Sequence, residues 1–130
     1  MSVFDSALGQ SPQVLALRTK RMELLSANIA NSDTPGYKAR DIDFQAAMRQ
    51  AGSDTGLRRT NSRHMTGRGV DADGVQAMYR VPSQSSLDGN TVESQREHAA
   101  FMDNAVRFQA SLNMLDSRIK GLRIAIRGQV

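Results

Sequence analysis

The chain has 130 residues, no cysteine, no tryptophan and 5% aromatic residues, with a mean hydropathy of −0.46. That is one domain at most, without the material for a thick apolar core, and the missing thiols exclude a disulfide framework, a thiolate metal site and a cysteine nucleophile. Seventeen Lys and Arg against 13 Asp and Glu leave a net charge of +4, but the bases are mixed with acids along the chain, and a nucleic-acid footprint needs a clustered basic face.

Met1 to Ser6 carry neither a basic n-region nor a long apolar stretch, so no cleavable secretory signal is expected. No run approaches the roughly 20 apolar residues of a membrane span. Ser11-Pro12 reads as an N-cap followed by proline at the first helical position. Val14, Leu15, Leu17, Met22, Leu24, Leu25, Ile29 and Ala30 then form a broad apolar stripe to about Ala30. Leu8, Leu15, Met22 and Ile29 recur every seven residues, which suits coiled-coil packing. Leu15, Met22, Leu25 and Ile29 are the expected packing residues, and Arg18, Lys20, Arg21 and Glu23 the expected wet face.

The run Asn28-Ile29-Ala30-Asn31-Ser32-Asp33-Thr34-Pro35-Gly36-Tyr37-Lys38 ends this helix. Asn31, Ser32 and Asp33 compete with helical backbone bonding. Thr34 precedes proline and is pushed toward extended backbone. Pro35-Gly36 fits the central pair of a type II turn, with proline presetting φ and glycine accepting φ > 0. Asn28 and Asn31, one turn apart, are expected to bond backbone groups near the turn or on a neighbouring molecule. So well-specified an exit suggests that the direction of Tyr37 matters to something outside the helix.

Ala39 to Phe44 reads as a short extended piece in which Ile42 and Phe44 point the same way while Asp41 and Asp43 face solvent. Gln45 to Gln50 adds a helical turn. Residues 51–92 hold six of the ten glycines with many Ser, Thr, Asp and Arg. They read as a flexible insert, with Met78-Tyr79-Arg80-Val81 able to form a short β-ribbon.

The last helix is expected from near Glu93 to about Arg127, about 50 Å at 1.5 Å per residue. Phe101, Ala105, Phe108, Leu112, Leu115, Ile119, Leu122 and Ile126 are spaced 4-3-4-3-4-3-4 along it. This is an unbroken a/d heptad pattern and the expected assembly seam. Two such helices with a polar insert bury too little apolar surface to offset the entropy of ordering them, so the seam anticipates neighbours and the lone chain is expected to be marginal.

Motifs for chemistry fail. An EF-hand begun at Asp71-Ala72-Asp73-Gly74 would need glutamate where Pro82 stands. Gly67-Arg68-Gly69 lacks the third glycine of a dinucleotide loop. His64 and His98 have no acid or nucleophile pattern tying them together. The expectation is no catalytic residue, no metal ligand, no cofactor and no small-molecule substrate.

SANIANSDTPGYKARDIDF at residues 26–44 closely resembles the N-terminal motif of the bacterial flagellar rod, hook and axial family. The ARDIDF continuation, DGNTVE at 88–93 and FMDNAVRFQASLNML at 101–115 resemble its proximal rod type. The family often has a further Asp where this chain has Glu93. The resemblance implies terminal helices paired into a coiled-coil inner tube, many copies stacked into a hollow periplasmic rod, and export through the flagellar type III apparatus without signal cleavage. It also implies other rod proteins as partners, with membrane-ring, rod-adaptor or export-gate proteins at the rod base. It marks Asn28, Asn31, Thr34, Pro35, Gly36 and Tyr37 as the family turn motif.

The sequence thus describes a mainly α chain with its N- and C-terminal helices packed as a coiled coil. Residues 1–32 form the first core helix, 33–50 the turn and extended segment, 51–92 the insert and 93–130 the heptad helix. The expected role is a structural subunit of the flagellar rod, an assembly of copies of this chain with its relatives. The alternative is a basic helical adaptor for nucleic acid or an acidic surface, which would release its partner steeply with salt.

Overall fold

The computed structural model describes residues 8–52, 76–84 and 86–128, with the side chains of residues 50–52 excepted. Its elements are α1 (Ser11–Ala30), β1 (Arg40–Ile42), α2 (Phe44–Gly52), β2 (Ala77–Tyr79) and α3 (Ser94–Arg127). The sequence readings at His64, Gly67–Gly69 and Asp71–Gly74 lie outside the described residues. Among the described residues, no helix is long and apolar enough to cross a membrane.

Helix α1 starts one residue earlier than Ser11 as a cap would require. Gln10 occupies the N-cap position with φ −82° and ψ −1° and makes no side-chain cap bond. Its backbone is already helical, and its carbonyl accepts the Val14 N–H at 3.0 Å. Gly9, at φ 59°, turns the chain just before it. Pro12 therefore falls second in the helix, still within the first turn, where a missing N–H costs nothing.

Helix α3 follows Glu93 and closes on Gly128, whose φ of 62° lets its N–H reach the Ile124 carbonyl at 3.1 Å. This is a left-handed cap that glycine adopts without a Cβ penalty. The two long helices run antiparallel: Asn28 meets Glu97, Arg18 meets Asn104 and Ser111, and Leu8 meets Arg118.

A two-stranded antiparallel sheet joins β1 to β2 in the register Arg40↔Tyr79, Asp41↔Met78, Ile42↔Ala77. The Arg80 N–H extends the ladder to the Ala39 carbonyl at 2.9 Å. Asp43 caps α2, its carboxylate accepting the Ala46 N–H at 3.0 Å, so the short helix has the first-turn acceptor it needs.

The core is small and half polar. Among the described residues, the buried apolar side chains are Leu17, Leu25, Ala39 and Ile42, and the buried polar ones are Asn28, Asn90, Glu97 and Asn104. A chain built this way depends on polar groups finding partners, because each buried orphan is costly.

Candidate functional site: a locked turn and a half-covered helix

Helix α1 ends as its short polar residues dictate. The Asn31 N–H shares the carbonyls of Ala27 and Asn28, and its side-chain Nδ2 donates to the Ala27 carbonyl at 2.8 Å. The Thr34 hydroxyl donates to Asn31 Oδ1 at 3.2 Å. The Tyr37 N–H then bonds the Thr34 carbonyl at 3.3 Å around Pro35-Gly36, with Gly36 at φ 72°. A bond from residue four to residue one with positive φ at residue three defines the type II turn. A Cβ on Gly36 would meet nothing within 4 Å, so the demand for glycine here is conformational and not one of space. Thr34, Pro35 and Gly36 are exposed and Tyr37 half-buried.

Residues 86–92 hold the turn from outside. The single Nδ2 of Asn90 lies 3.1, 2.8 and 2.9 Å from the carbonyls of Asn31, Ser32 and Thr34. The Gly36 N–H donates to the Asp88 carbonyl at 2.9 Å, and the Thr91 N–H to the Tyr37 carbonyl at 3.0 Å. Lys38 Nζ donates to the Gly89 carbonyl at 2.6 Å, and the Ala39 N–H to the Thr91 hydroxyl at 2.8 Å. The C-terminal end of the stretch read as a flexible insert is therefore bonded to the turn. Sequence reasoning singled out DGNTVE only as a likeness, and no local pattern says that an asparagine will gather carbonyls nearly sixty residues away.

Beside the turn, Asn28 imitates a strand. Its Nδ2 donates to the Arg40 carbonyl at 2.8 Å and its Oδ1 accepts the Arg40 N–H at 3.1 Å. The same Nδ2 donates to Glu97 Oε2 at 3.0 Å. Glu97 Oε1 accepts from Arg80, whose second guanidinium nitrogen donates to Asp41 Oδ2. Asp41 also takes a two-pronged contact from Arg21, at 2.9 and 3.0 Å. Two guanidinium groups and two carboxylates thus balance in one network joining α1, β1, α3 and the residue after β2. Burial pushes the Asp41 carboxyl upward, but bonds from Arg21, the Ile42 N–H and Arg80 outweigh it and hold the group below its ordinary value. The same contact with Asp41 raises Arg21.

This corrects two expectations. Asp41 does not face solvent, although Asp43 does, and Arg21 is not on a wet face. Arg18 also turns inward: its guanidinium lies 4.8 Å from the Phe44 ring centroid and donates to Ser111 Oγ at 3.1 Å. Its pKa is lowered by burial and by Arg107 and Arg21 nearby. Each of these partners lies on another element, so helical periodicity alone assigns the charges to solvent.

Glu93 offers no cap to α3. Its carboxylate instead accepts the N–H and hydroxyl of Ser83, both at 2.7 Å, and those bonds hold its carboxyl below the usual range.

Along α3, Phe101, Ala105, Phe108 and Leu115 are half-buried, whereas Leu112, Ile119, Leu122 and Ile126 are exposed, Ile126 to 83%. On α1, Leu25 is fully buried and Leu15, Met22 and Ile29 are half-buried. The eight heptad positions are therefore divided between the packed face and an uncovered apolar strip.

The family described as "Flagella basal body rod protein" matches residues 15–38, which are most of α1 and the turn. Over nearly its whole length the chain is similar to proteins named "Flagellar basal body rod protein FlgB". That of Cereibacter sphaeroides is 48% identical over 129 residues, covering 99% of this chain and all of the relative. That of Salmonella typhimurium is 44% identical over 131 residues, 95% of each chain, and that of Escherichia coli 43% identical over 125 residues, 91% of each. The chain belongs to the FlgB family of flagellar basal body rod proteins. In this FlgB-family chain, the matched family segment contains Asn28 and the turn, while Asn90 and Glu97, which complete their bonding, lie in the long matches to the FlgB relatives.

Proposed function

We propose that the chain is a structural subunit of the proximal flagellar rod, polymerising through its terminal helices into the hollow shaft that motility requires. The observation that carries this reading is the uncovered apolar strip of α3, where Leu112, Ile119, Leu122 and Ile126 are all exposed in a chain whose relatives are named basal body rod proteins. Apolar side chains lined up along a long helix bury their surface most directly against other helices. The turn is proposed to aim the segment after α1 at a neighbouring subunit.

The subunit joins other copies of itself, other rod proteins, and membrane-ring, rod-adaptor or export-gate proteins at the rod base. It reaches a periplasmic position through the flagellar export route without losing a signal peptide. The nucleic-acid reading has little to support it. Arg107 and Lys120 on α3 pair with Asp103 and Asp116 one turn away, which neutralises a phosphate-binding face.

The test is complementation of a strain lacking this chain. Ile119 is exposed, so Ile119→Asp should leave the isolated fold unchanged by circular dichroism, yet abolish swimming and lower the yield of basal bodies. Normal basal bodies that lack the wild-type chain would overturn the proposal.

A further inference from the structure

Four residues of α3 stand seven apart and point at the N-terminal part of the chain: Glu97, Asn104, Ser111 and Arg118. All four bond there. Glu97 accepts from Asn28 at 3.0 Å, and Asn104 Nδ2 donates to the Arg18 carbonyl at 2.9 Å. Ser111 Oγ accepts from Arg18 at 3.1 Å, and Arg118 donates to the Leu8 carbonyl at 3.2 Å. Phe101, Phe108 and Leu115 interleave with them, so the line facing α1 alternates polar and apolar residues.

The alternative face was available. Ala105, Leu112, Ile119 and Ile126 lie one residue beyond Asn104, Ser111, Arg118 and the next heptad step, and they are apolar throughout. Adjacent helical positions stand about 100° apart, so exchanging the Asn104–Ser111 flank of the shared Phe101–Phe108–Leu115 line for the Ala105–Leu112 flank turns the contact face of α3 by about half of that, ~50°. Hydrophobic burial alone favours that rotation. Instead Asn104 is fully buried while Ala105 is only half-buried, and Ser111 is half-buried while Leu112 is exposed. Asn104 does not earn its place by satisfied bonding either, since its buried Oδ1 has no partner among the described residues. A polar residue at such a position sacrifices stability and specifies register.

We infer that this polar ladder is a register device. It fixes the rotation of α3 against α1 and thereby turns the Ala105–Leu112–Ile119–Ile126 line outward, toward neighbouring copies of this chain. The outward destination rests on the rod reading above; the register itself does not. Removing the central rungs strands little. The Arg18 carbonyl keeps its own helical bond, and the half-buried Arg18 side chain can turn to water.

The test uses the full chain carrying Asn104→Ala and Ser111→Ala together, which removes the polar rungs without adding large apolar side chains to the present face, with Ser111→Ala alone as the milder form. The chain has no cysteine, so single cysteines report position cleanly. Leu112→Cys, Ile119→Cys and the reference Asp116→Cys are labelled with a maleimide, and rates at the first two are divided by the reference rate. One result is expected of the ladder variants: relative labelling at 112 and 119 slowed at least threefold, as the apolar line turns toward α1. An unchanged relative rate overturns the inference, whether Tm rises or falls, because the register would then be set by the apolar residues. If the double variant aggregates, the single variant is read by the same criterion. If labelling slows as expected but Ile119→Asp cells swim, the register device stands and the rod reading of the strip falls.

Discussion

Asn28→Ala probes the point where α1, β1 and α3 meet. The substitution removes the donor to the Arg40 carbonyl, the acceptor for the Arg40 N–H and the donor to Glu97. An orphaned buried group costs about 1–3 kcal/mol. Arg40 is exposed, so water meets much of its demand. Glu97 is fully buried and, among the described residues, keeps Arg80 on its other oxygen. The lower end of the range for three groups, about 3 kcal/mol, is therefore the expected loss. In a domain near this size, that lowers Tm by about 10–20 °C, a large share of a small domain's total stability. Thermal melts followed by circular dichroism measure it, with Asn113→Ala, on the exposed side of α3, as the control. Hydrogen exchange at the Arg40 amide should accelerate more than exchange in the middle of α3. A Tm within 2–3 °C of wild type, where about 0.5 kcal/mol would lie, would refute the view that this amide holds the strand to the helices.

At Gly36 an added Cβ meets nothing within 4 Å, but Gly36→Val forces a β-branched residue to positive φ, so helix content should persist while rods fail to form; swimming equal to wild type would reduce the turn to a spacer. The folded pKa of Asp41 lies below its unfolded value, so its contribution is complete above the unfolded value, near 3.9, and is lost as pH falls through the folded one. Melts of wild type and Asp41→Asn should accordingly differ at pH 6 and converge in strong acid; a constant gap at all pH values would remove the carboxylate from the explanation. Leu115→Asp places a charge in the half-buried line facing α1 and should abolish assembly, whereas Asp116→Ala removes only an exposed pair with Lys120, worth about 0.3–0.5 kcal/mol, and should swim; equal phenotypes would refute this placement of Leu115.

What periodicity could reveal, it revealed: two long helices, the stop after Ala30 and the turn at Pro35-Gly36 follow from local chemistry. The pairing of β2 with β1 was within reach because Met78 to Val81 is a short apolar patch beside polar sequence. The rotation of α3 was not legible. Counting apolar residues selects Ala105 and Leu112 over Asn104 and Ser111, since nothing local shows that Arg18 supplies partners 86 and 93 residues away. Asp41 was misplaced for the same reason, because its cations Arg21 and Arg80 stand 20 and 39 residues off. A polar repeat of seven, Glu97-Asn104-Ser111-Arg118, was the one available signal, and it is visible only when polar residues are tested for periodicity as apolar ones are.

The Asn90 amide also imposes an order of events. Its three carbonyl acceptors lie 56 to 59 residues before it, and closing a loop of that size carries an entropic cost that local contacts do not share. Helix α1 and its turn can form as soon as their own residues are available, but the turn is not held from outside until residue 90 arrives. A chain delivered N-terminus first, from a ribosome or through a narrow conduit, thus carries its leading helix with a loose hinge for more than half its length. The hinge tightens only when the later third of the molecule is free to return to it, which postpones the directed shape of the N-terminal end until nearly the whole chain has emerged.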